Sequence, residues 1–400
     1  MIRRRHHRNK KYILVIAVVV FALFIAAICI LLLCDIDTAK VNSNENIAAI
    51  ASNQELSLDE RVDCIVNNMS DAEKVGQMLM IGIQGTRVDD DTSYMLNEYA
   101  IGGVILFDRN MQSQEQVLNF NKKLQESRHG ELPLFIAVDE EGGKVARMKD
   151  SFEPPPSQRE IADSKDFQQA EKWAEYTANG LKNMGFNVNF APVADVGNDE
   201  AGRMYTADPE IVSNFVKAAV QGYEKKNILC TIKHFPGLGK GEADTHDNFV
   251  QVNADMDTLQ AQDLLPFREM FQHGNQDNFW VMVTHVTYSA LDAKNPASMS
   301  SVVMTNLLRN QLGYNGIVIT DDVDMGAIAK HYSFKDVGVK AVQAGADIVL
   351  VCHEYDHEIE VYNGILSAVR DGSISKDRID SSVKRIVRAK LMHLQPAYKH

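Results

Sequence analysis

Six short apolar runs in this 400-residue sequence end on charged or imidazole side chains: Phe107-Asp108-Arg109-Asn110, Val138-Asp139-Glu140-Glu141, Val193-Ala194-Asp195, Ile232-Lys233-His234, Thr284-His285 and Thr320-Asp321-Asp322. An aliphatic β-run that stops on a carboxylate has few structural explanations other than a lined polar pocket. Carboxylates and imidazoles gathered in such a pocket can bind hydroxyl groups and move protons. Imidazole titrates near neutrality, so it can give and take a proton there. A neighbouring carboxylate orients the ring and stabilises its charged form. The five cysteines (Cys29, Cys34, Cys64, Cys230 and Cys352) are scattered, with no Cys-x-x-Cys or metal-ligand spacing. They make no disulfide framework, and no metal or organic cofactor is implied.

The elements that must position these groups can be read from the hydrophobic pattern. Eight β-rich runs cover 78–83, 103–107, 134–138, 187–193, 229–234, 280–286, 316–320 and 347–351. They are continuous rather than alternating, which indicates parallel strands covered on both faces. Amphipathic segments at 114–127, 168–184, 209–225, 258–272, 302–311, 335–344 and 357–370 fit as helices between them. Eight such strands favour a single (β/α)8 barrel over a doubly wound open sheet, and barrel enzymes gather reactive groups past the C-terminal strand ends. Ahead of the first strand, Val62, Ile65, Val66 and Met69 make one helix face, and Ser70-Asp71-Ala72-Glu73 reads as a capping box opening a second helix.

Residues 12–34 carry no charge. At about 1.5 Å per residue, such a helix spans a hydrocarbon core of about 30 Å, and the run is longer than the ~7–15 residues of a secretory h-region. Arg3, Arg4, Arg5, Arg8, Lys10 and Lys11 precede it, which sets that side in the cytoplasm. The expected organisation is a basic cytoplasmic segment (1–11), a transmembrane signal anchor (12–34), a polar linker (35–57) and an extracytoplasmic barrel at the cell membrane (58–400). Formal net charge is −13 despite the basic start. So acidic a body argues against nucleic-acid binding, which needs a basic surface.

Four segments occur in order: VDEEGGKVARM (138–148), GRMYTADPE (202–210), KHFPGLGKGEADTH (233–246) and GIVITDDVDMGAI (316–328). Together they resemble family 3 glycoside hydrolases, in particular the β-N-acetylglucosaminidase branch. Weaker agreement extends over roughly 58–395. The resemblance implies a retaining exo-β-N-acetylglucosaminidase acting on a carbohydrate, with peptidoglycan fragments as the expected substrate. It implies Asp321 as nucleophile, and His246 paired with Asp244 as the proton donor that later activates water. Most retaining glycosidases use a second carboxylic acid there instead. By the same resemblance Asp139 binds sugar hydroxyls, Lys233 and His234 hold the same ring, and Arg203 reaches the substrate. His285 and Asp195 are expected to support the site from behind. Asp322 and Asp324 read as acids at a helix N-terminus, and Lys144 and Arg147 as braces of the strand-three loop. The sequence departs from the family pattern at Leu238, Lys240 and Gly241, where the loop loses polar groups, and at Glu140, where glutamine is frequent. Two alternatives stay open. One is a β-glycosidase or phosphorylase on the same site; the other is a catalytically silent, wall-tethered sugar-binding protein.

Overall fold

A computed structural model describes residues 47–128, 132–148, 152–239 and 250–394. Eight parallel strands close one barrel: β1 (Leu79–Gly82), β2 (Gly103–Ile105), β3 (Phe135–Val138), β4 (Val188–Asn189), β5 (Leu229–Phe235), β6 (Phe279–Val283), β7 (Val318–Asp322) and β8 (Ile348–Val351). β1 seals the ring, with Leu79 opposite Val349 of β8 and Met80 opposite Gly103 of β2. Apart from Asp321 and Asp322, strand residues are buried between the filled interior and the helical coat, which is why these runs read as continuous rather than alternating apolar stretches. Gly82 is required where β1 meets β8, since a Cβ there would stand 1.8 Å from the Cys352 carbonyl oxygen.

Six of the seven expected helices lie outside the barrel within a few residues of their expected bounds; the one expected over 258–272 is broken into Met256–Ala261 and Leu265–His273. The helix after β1, Asp90–Glu98, had no counterpart in the sequence reading. Only Thr92, Met95 and Leu96 are buried on it, too thin an apolar face to register, and its start is fixed instead by Asp89 accepting from Thr92 N at 2.8 Å. β4 is shorter than the 187–193 run. Pro192 has no N–H for the ladder, and the chain leaves the sheet toward Asp195 after a last bridge between Val193 and Lys233. The Val302–Gln311 segment is wound as a π-helix, closing with Leu312 N on Leu307 O at 2.9 Å.

The N-terminal ends of the strands form a sealed floor. Lys390 Nζ reaches Gln77 Oε1 and Gly102 O, both at 2.8 Å, and lies 4.9 Å from the Phe135 ring centre. Asp347, buried at the start of β8, accepts from Arg309 Nη2 at 2.6 Å and Val318 N at 2.9 Å and pairs with Arg385 at 3.1 Å. Burial works to raise its carboxyl, but the three guanidinium groups of Arg385, Arg309 and Arg378 outweigh burial and hold it at about 2.

Helices Leu58–Asn68 and Asp71–Gln77 open with capping boxes, Ser57 with Glu60 and Ser70 with Glu73. The first packs along the last helix, Lys376–His393, through Asp63–Lys384 and Asp59–Arg388 pairs. The linker expected over 35–57 needs correction in its second part. Ile47–Ser52 is a helix that buries Ile50 and Ala51 and is tied back by Arg61 Nη1 donating to Ala51 O at 2.8 Å. Two isoleucines three apart supply the apolar edge that docks it. Among the described residues no helix is long and apolar enough to cross a membrane. The 12–34 run and the Asp244–His246 pair lie outside the described residues.

Candidate active site

A cleft of about 490 Å³ opens at the C-terminal ends of the strands, lined by Asp139, Glu141, Arg203, Lys233, His234 and Asp321 among others. A larger surface hollow of about 720 Å³ lies between the β1 loop and helix Gln114–Ser127 and holds none of the strand-end groups.

The strand-three loop builds one wall. Past Asp139 the chain forms a tight hairpin, Glu140–Gly142 against Val145–Ala146. Gly142 has φ 98°, and a Cβ there would meet Pro156 O at 2.4 Å, so the turn needs glycine. The hairpin directs the Glu141 carboxylate back into the site. Arg203 Nε and Nη2 donate to its two oxygens, both at 2.8 Å, and Lys233 Nζ adds a bond at 2.6 Å. Lys233 Nζ also donates to Asp139 Oδ1 at 2.7 Å. Burial opposes the charge on each of these groups, but the two cations hold the Glu141 carboxyl far below the usual range and the two acids raise Lys233. Both therefore stay ionised, and Asp139, Lys233, Glu141 and Arg203 form one chain of charge-assisted bonds.

On the next wall Asp195 fixes His234. Its Oδ2 is 2.7 Å from His234 Nδ1, while Oδ1 accepts from His234 N at 3.1 Å and Leu238 N at 2.7 Å. A carboxylate on Nδ1 keeps the proton there and leaves Nε2 for the cleft.

Asp321 lies at the end of β7, and its one hydrogen bond among the described residues comes from Asp322 N to Oδ1 at 2.9 Å, leaving Oδ2 uncommitted. Burial pushes its carboxyl up, but His234, His285 and Lys233 with the Asp322 N–H bring it below the ordinary value. Asp321 is thus an ionised, partly buried carboxylate. His285 stands behind it, buried, with Nδ1 against Ser298 Oγ at 2.7 Å and Nε2 donating to Asp322 O at 2.9 Å. Burial lowers its tendency to protonate against the pull of Asp321 and Asp322, and its two hydrogen bonds make it a strut under β7.

The helix-start reading of Asp322 and Asp324 is corrected. The short helix Gly326–Ala329 has Met325 at its start and no side-chain cap. Asp324 instead clips the end of β8, accepting from Cys352 N and His353 N at 2.9 Å each and pairing with His357 Nδ1 at 2.6 Å. Asp322 Oδ2 lies 3.2 Å from His353 Nε2. The β8 end was passed over in the sequence, although His353 follows its apolar run at the spacing by which Asp195 follows Val193. Glu141 was also passed over, although it ties Arg203 to Lys233; its signal was a third consecutive acid in Asp139-Glu140-Glu141. Lys144 does brace the loop, reaching Glu200 O at 3.4 Å. Arg147 approaches Asp108 and Asp139 only at 3.8 and 3.9 Å.

Among the described carboxyls in the cleft, none is a neutral, unpaired acid: Glu141 is doubly paired and Asp322, raised by burial, faces His353. What the described wall offers is an ionised carboxylate, Asp321, facing a ring of donors and acceptors suited to hydroxyl groups.

Comparisons with known proteins agree with this arrangement. Residues 71–389 match the glycosyl hydrolase family 3 N terminal domain. Beta-hexosaminidase of Stenotrophomonas maltophilia (strain K279a) is 34% identical over 313 residues, covering 74% of this chain and 88% of that protein. Beta-hexosaminidase A of Pseudoalteromonas piscicida is 31% identical over 334 residues, covering 76% of this chain; the chain spans only 56% of that relative. A glycoside hydrolase family 3 beta-N-acetylglucosaminidase from Paenibacillus sp. str. FPU-7 superposes with a TM-score of 0.79 at 34% identity, over 83% of this chain and 64% of that one. A barrel of eight parallel strands, a strand-end carboxylate network and these matches make the chain a member of glycosyl hydrolase family 3, in its β-hexosaminidase branch.

Proposed function

We propose that this family 3 glycoside hydrolase is a retaining exo-β-N-acetylglucosaminidase that removes terminal β-linked GlcNAc from peptidoglycan fragments. The observation that carries this reading is Asp321: an ionised carboxylate with a free oxygen, facing a wall already wired to hold a sugar ring. In the first step an Asp321 oxygen bonds to the anomeric carbon as the glycosidic C–O bond breaks. His246, oriented by Asp244, gives its proton to the departing oxygen. In the second step His246 takes a proton from water as that water attacks the anomeric carbon, and the Asp321 ester bond breaks. The absence of a neutral, unpaired carboxyl among the described lining residues supports a donor from the strand-five loop. Asp139, Lys233, His234 and Arg203 bind the ring hydroxyls, and losing any one strands a buried polar partner. Asp195 and His285 position His234 and β7.

The 12–34 segment anchors the protein in the cell membrane with the barrel outside; its length, lack of charge and basic flank support this reading. The test is trapping. Full-length enzyme incubated with a slow 5-fluoro GlcNAc donor should gain one glycosyl mass on the peptide containing Asp321. An adduct elsewhere, or full activity in Asp321→Ala, rejects the mechanism.

A further inference from the structure

The floor of the barrel, opposite the cleft, gathers more positive charge than its buried acid balances. Three guanidinium groups share Asp347: Arg309 at 2.6 Å, Arg385 at 3.1 Å and Arg378 at 3.8 Å. Burial lowers Arg309 and Arg378 from the ordinary guanidinium value, and repulsion from Arg385 deepens the effect against the pull of Asp347. Arg309 directs further donors to Tyr314 O and Gly316 O, and Arg378 to Val342 O, Ala346 O and Ser382 Oγ. Arg385 differs. Its Nε and Nη2 go to Asp347, and its Nη1 makes no hydrogen bond to a described residue.

Arg385 borders a notch of about 40 Å³, cut between the turns that precede β6 and β7 and the last helix. Gln276, Asp277, Gly316 and Arg388 line its sides, and Trp280 of β6 is its buried wall. The Trp280 ring is fixed edge-on against Phe135, with centres 4.7 Å apart. Its buried Nε1 has no partner among the described residues. An indole N–H can only donate, and leaving it buried and unpaired is costly. Arg388, 36% exposed, pairs with Asp59 and stands 3.6 Å from Asp277; both are surface contacts that water weakens. The notch thus offers an unpaired donor at depth and two guanidinium groups nearer the surface, with Asp277 as the opposing charge.

Its size limits the occupant. A water takes about 30 Å³ in the liquid, so a notch of about 40 Å³ admits one oxygen and little more. A neutral water would satisfy Trp280 and leave the excess guanidinium charge as it is. A phosphate can set one oxygen on Trp280 Nε1 while its others stay outside on the two arginines, a pairing that the guanidinium fork favours. We propose that this notch binds a phosphate group, with Trp280 and Arg385 as its fixed donors and Arg388 as its exposed one. The site lies at the opposite end of the barrel from the cleft and stands independently of the glycosidase reading. Two sources carry such a group: free inorganic phosphate, and the head group of an anionic phospholipid, toward which the proposed anchor would turn this end of the barrel.

Trp280 can report its own ligand. The chain has two tryptophans, so Trp173→Phe leaves Trp280 as the sole indole, and an acceptor arriving at Nε1 should move its emission to longer wavelength. Full-length protein in nonionic detergent at low ionic strength is titrated with inorganic phosphate, by fluorescence and by calorimetry. A saturable shift is expected, weakening as salt rises. Trp280→Phe, read by calorimetry, should weaken binding about tenfold, as loss of one hydrogen bond to a charged group does. Arg388→Gln, at a surface position, should weaken it by about the same factor. Both should leave kcat/KM on aryl β-GlcNAc at the wild-type value. Binding that neither variant alters puts phosphate elsewhere and overturns the proposal. So does Trp280 emission that stays fixed at millimolar phosphate, which would leave an ordered water as the occupant. Micelles doped with phosphatidylglycerol separate the sources: a shift present before phosphate is added assigns the site to lipid, and one that appears only on titration assigns it to the free ion.

Discussion

Glu140 offers the sharpest quantitative test of the electrostatics around the cleft. It is fully buried beside Asp139; Oε2 accepts from Arg147 N at 2.9 Å, and Oε1 has no partner among the described residues. Burial pushes its carboxyl from the ordinary 4.5 up to about 7, against the Arg147 and Met148 N–H groups. The folded state therefore holds this proton more tightly than the unfolded chain does. Its stabilising effect is complete below the unfolded value, fades as pH rises between about 4.5 and 7, and is absent above that. A shift of about 2.5 units corresponds to roughly 3 kcal/mol. Glu140→Gln keeps an acceptor for Arg147 N and removes the titration. The variant should match wild type near pH 4 and exceed it by about 1–3 kcal/mol at pH 8, the lower figure allowing for an amide N–H₂ that finds no acceptor. Urea melts of both proteins from pH 4 to 8.5 measure the difference. Parallel stability curves across that range would refute the reasoning, because they would mean the folded carboxyl titrates as in the unfolded chain.

Three further outcomes are expected. Glu141→Gln leaves Arg203 and Lys233 short of their shared counter-charge, so stability should fall by about 3–5 kcal/mol and kcat/KM by at least tenfold; an unaltered melt with an unaltered rate would dismiss the bridging role. Its stabilisation is present above the usual carboxylate range and lost as pH falls through the depressed folded value. Asp195→Asn should cost about 10- to 100-fold in kcat/KM by freeing the His234 ring, with the thermal midpoint little changed; a large drop in the midpoint at full activity would make Asp195 purely structural. Asp347→Asn should lower stability by about 3 kcal/mol at pH 7 while leaving KM for aryl β-GlcNAc as in wild type, and the deficit should narrow as pH drops from 3.8 toward about 2.

The strand map was legible because parallel strands buried on both faces write their position as uninterrupted apolar runs. Strand-end acids were legible for a related reason: Asp139, Asp195 and Asp321 each follow such a run within two residues of its end. What stayed hidden depends on contacts between distant segments. Asp324 reaches 28 residues along the chain to clip β8, and nothing local distinguishes that role from a helix-start acid. Glu141 had a local signal, but its two cations come from β5 and from the loop after β4, so its weight emerges only when the barrel closes. The helix Ile47–Ser52 was hidden by its shortness, since two isoleucines amid alanines gain meaning only against a surface to dock on.

That small helix also bears on how the proposed anchor would join the barrel. It packs on Leu58–Asn68, which lies along the last helix, whose Lys390 plugs the floor opposite the cleft. Residues 35–46 are all that separate it from the proposed anchor, a leash of at most about 40 Å when fully extended. With the proposed anchor, an enzyme moored by its base would present its mouth outward, away from the lipid. The proposed arrangement would place it to trim glycan ends within one leash length of the bilayer.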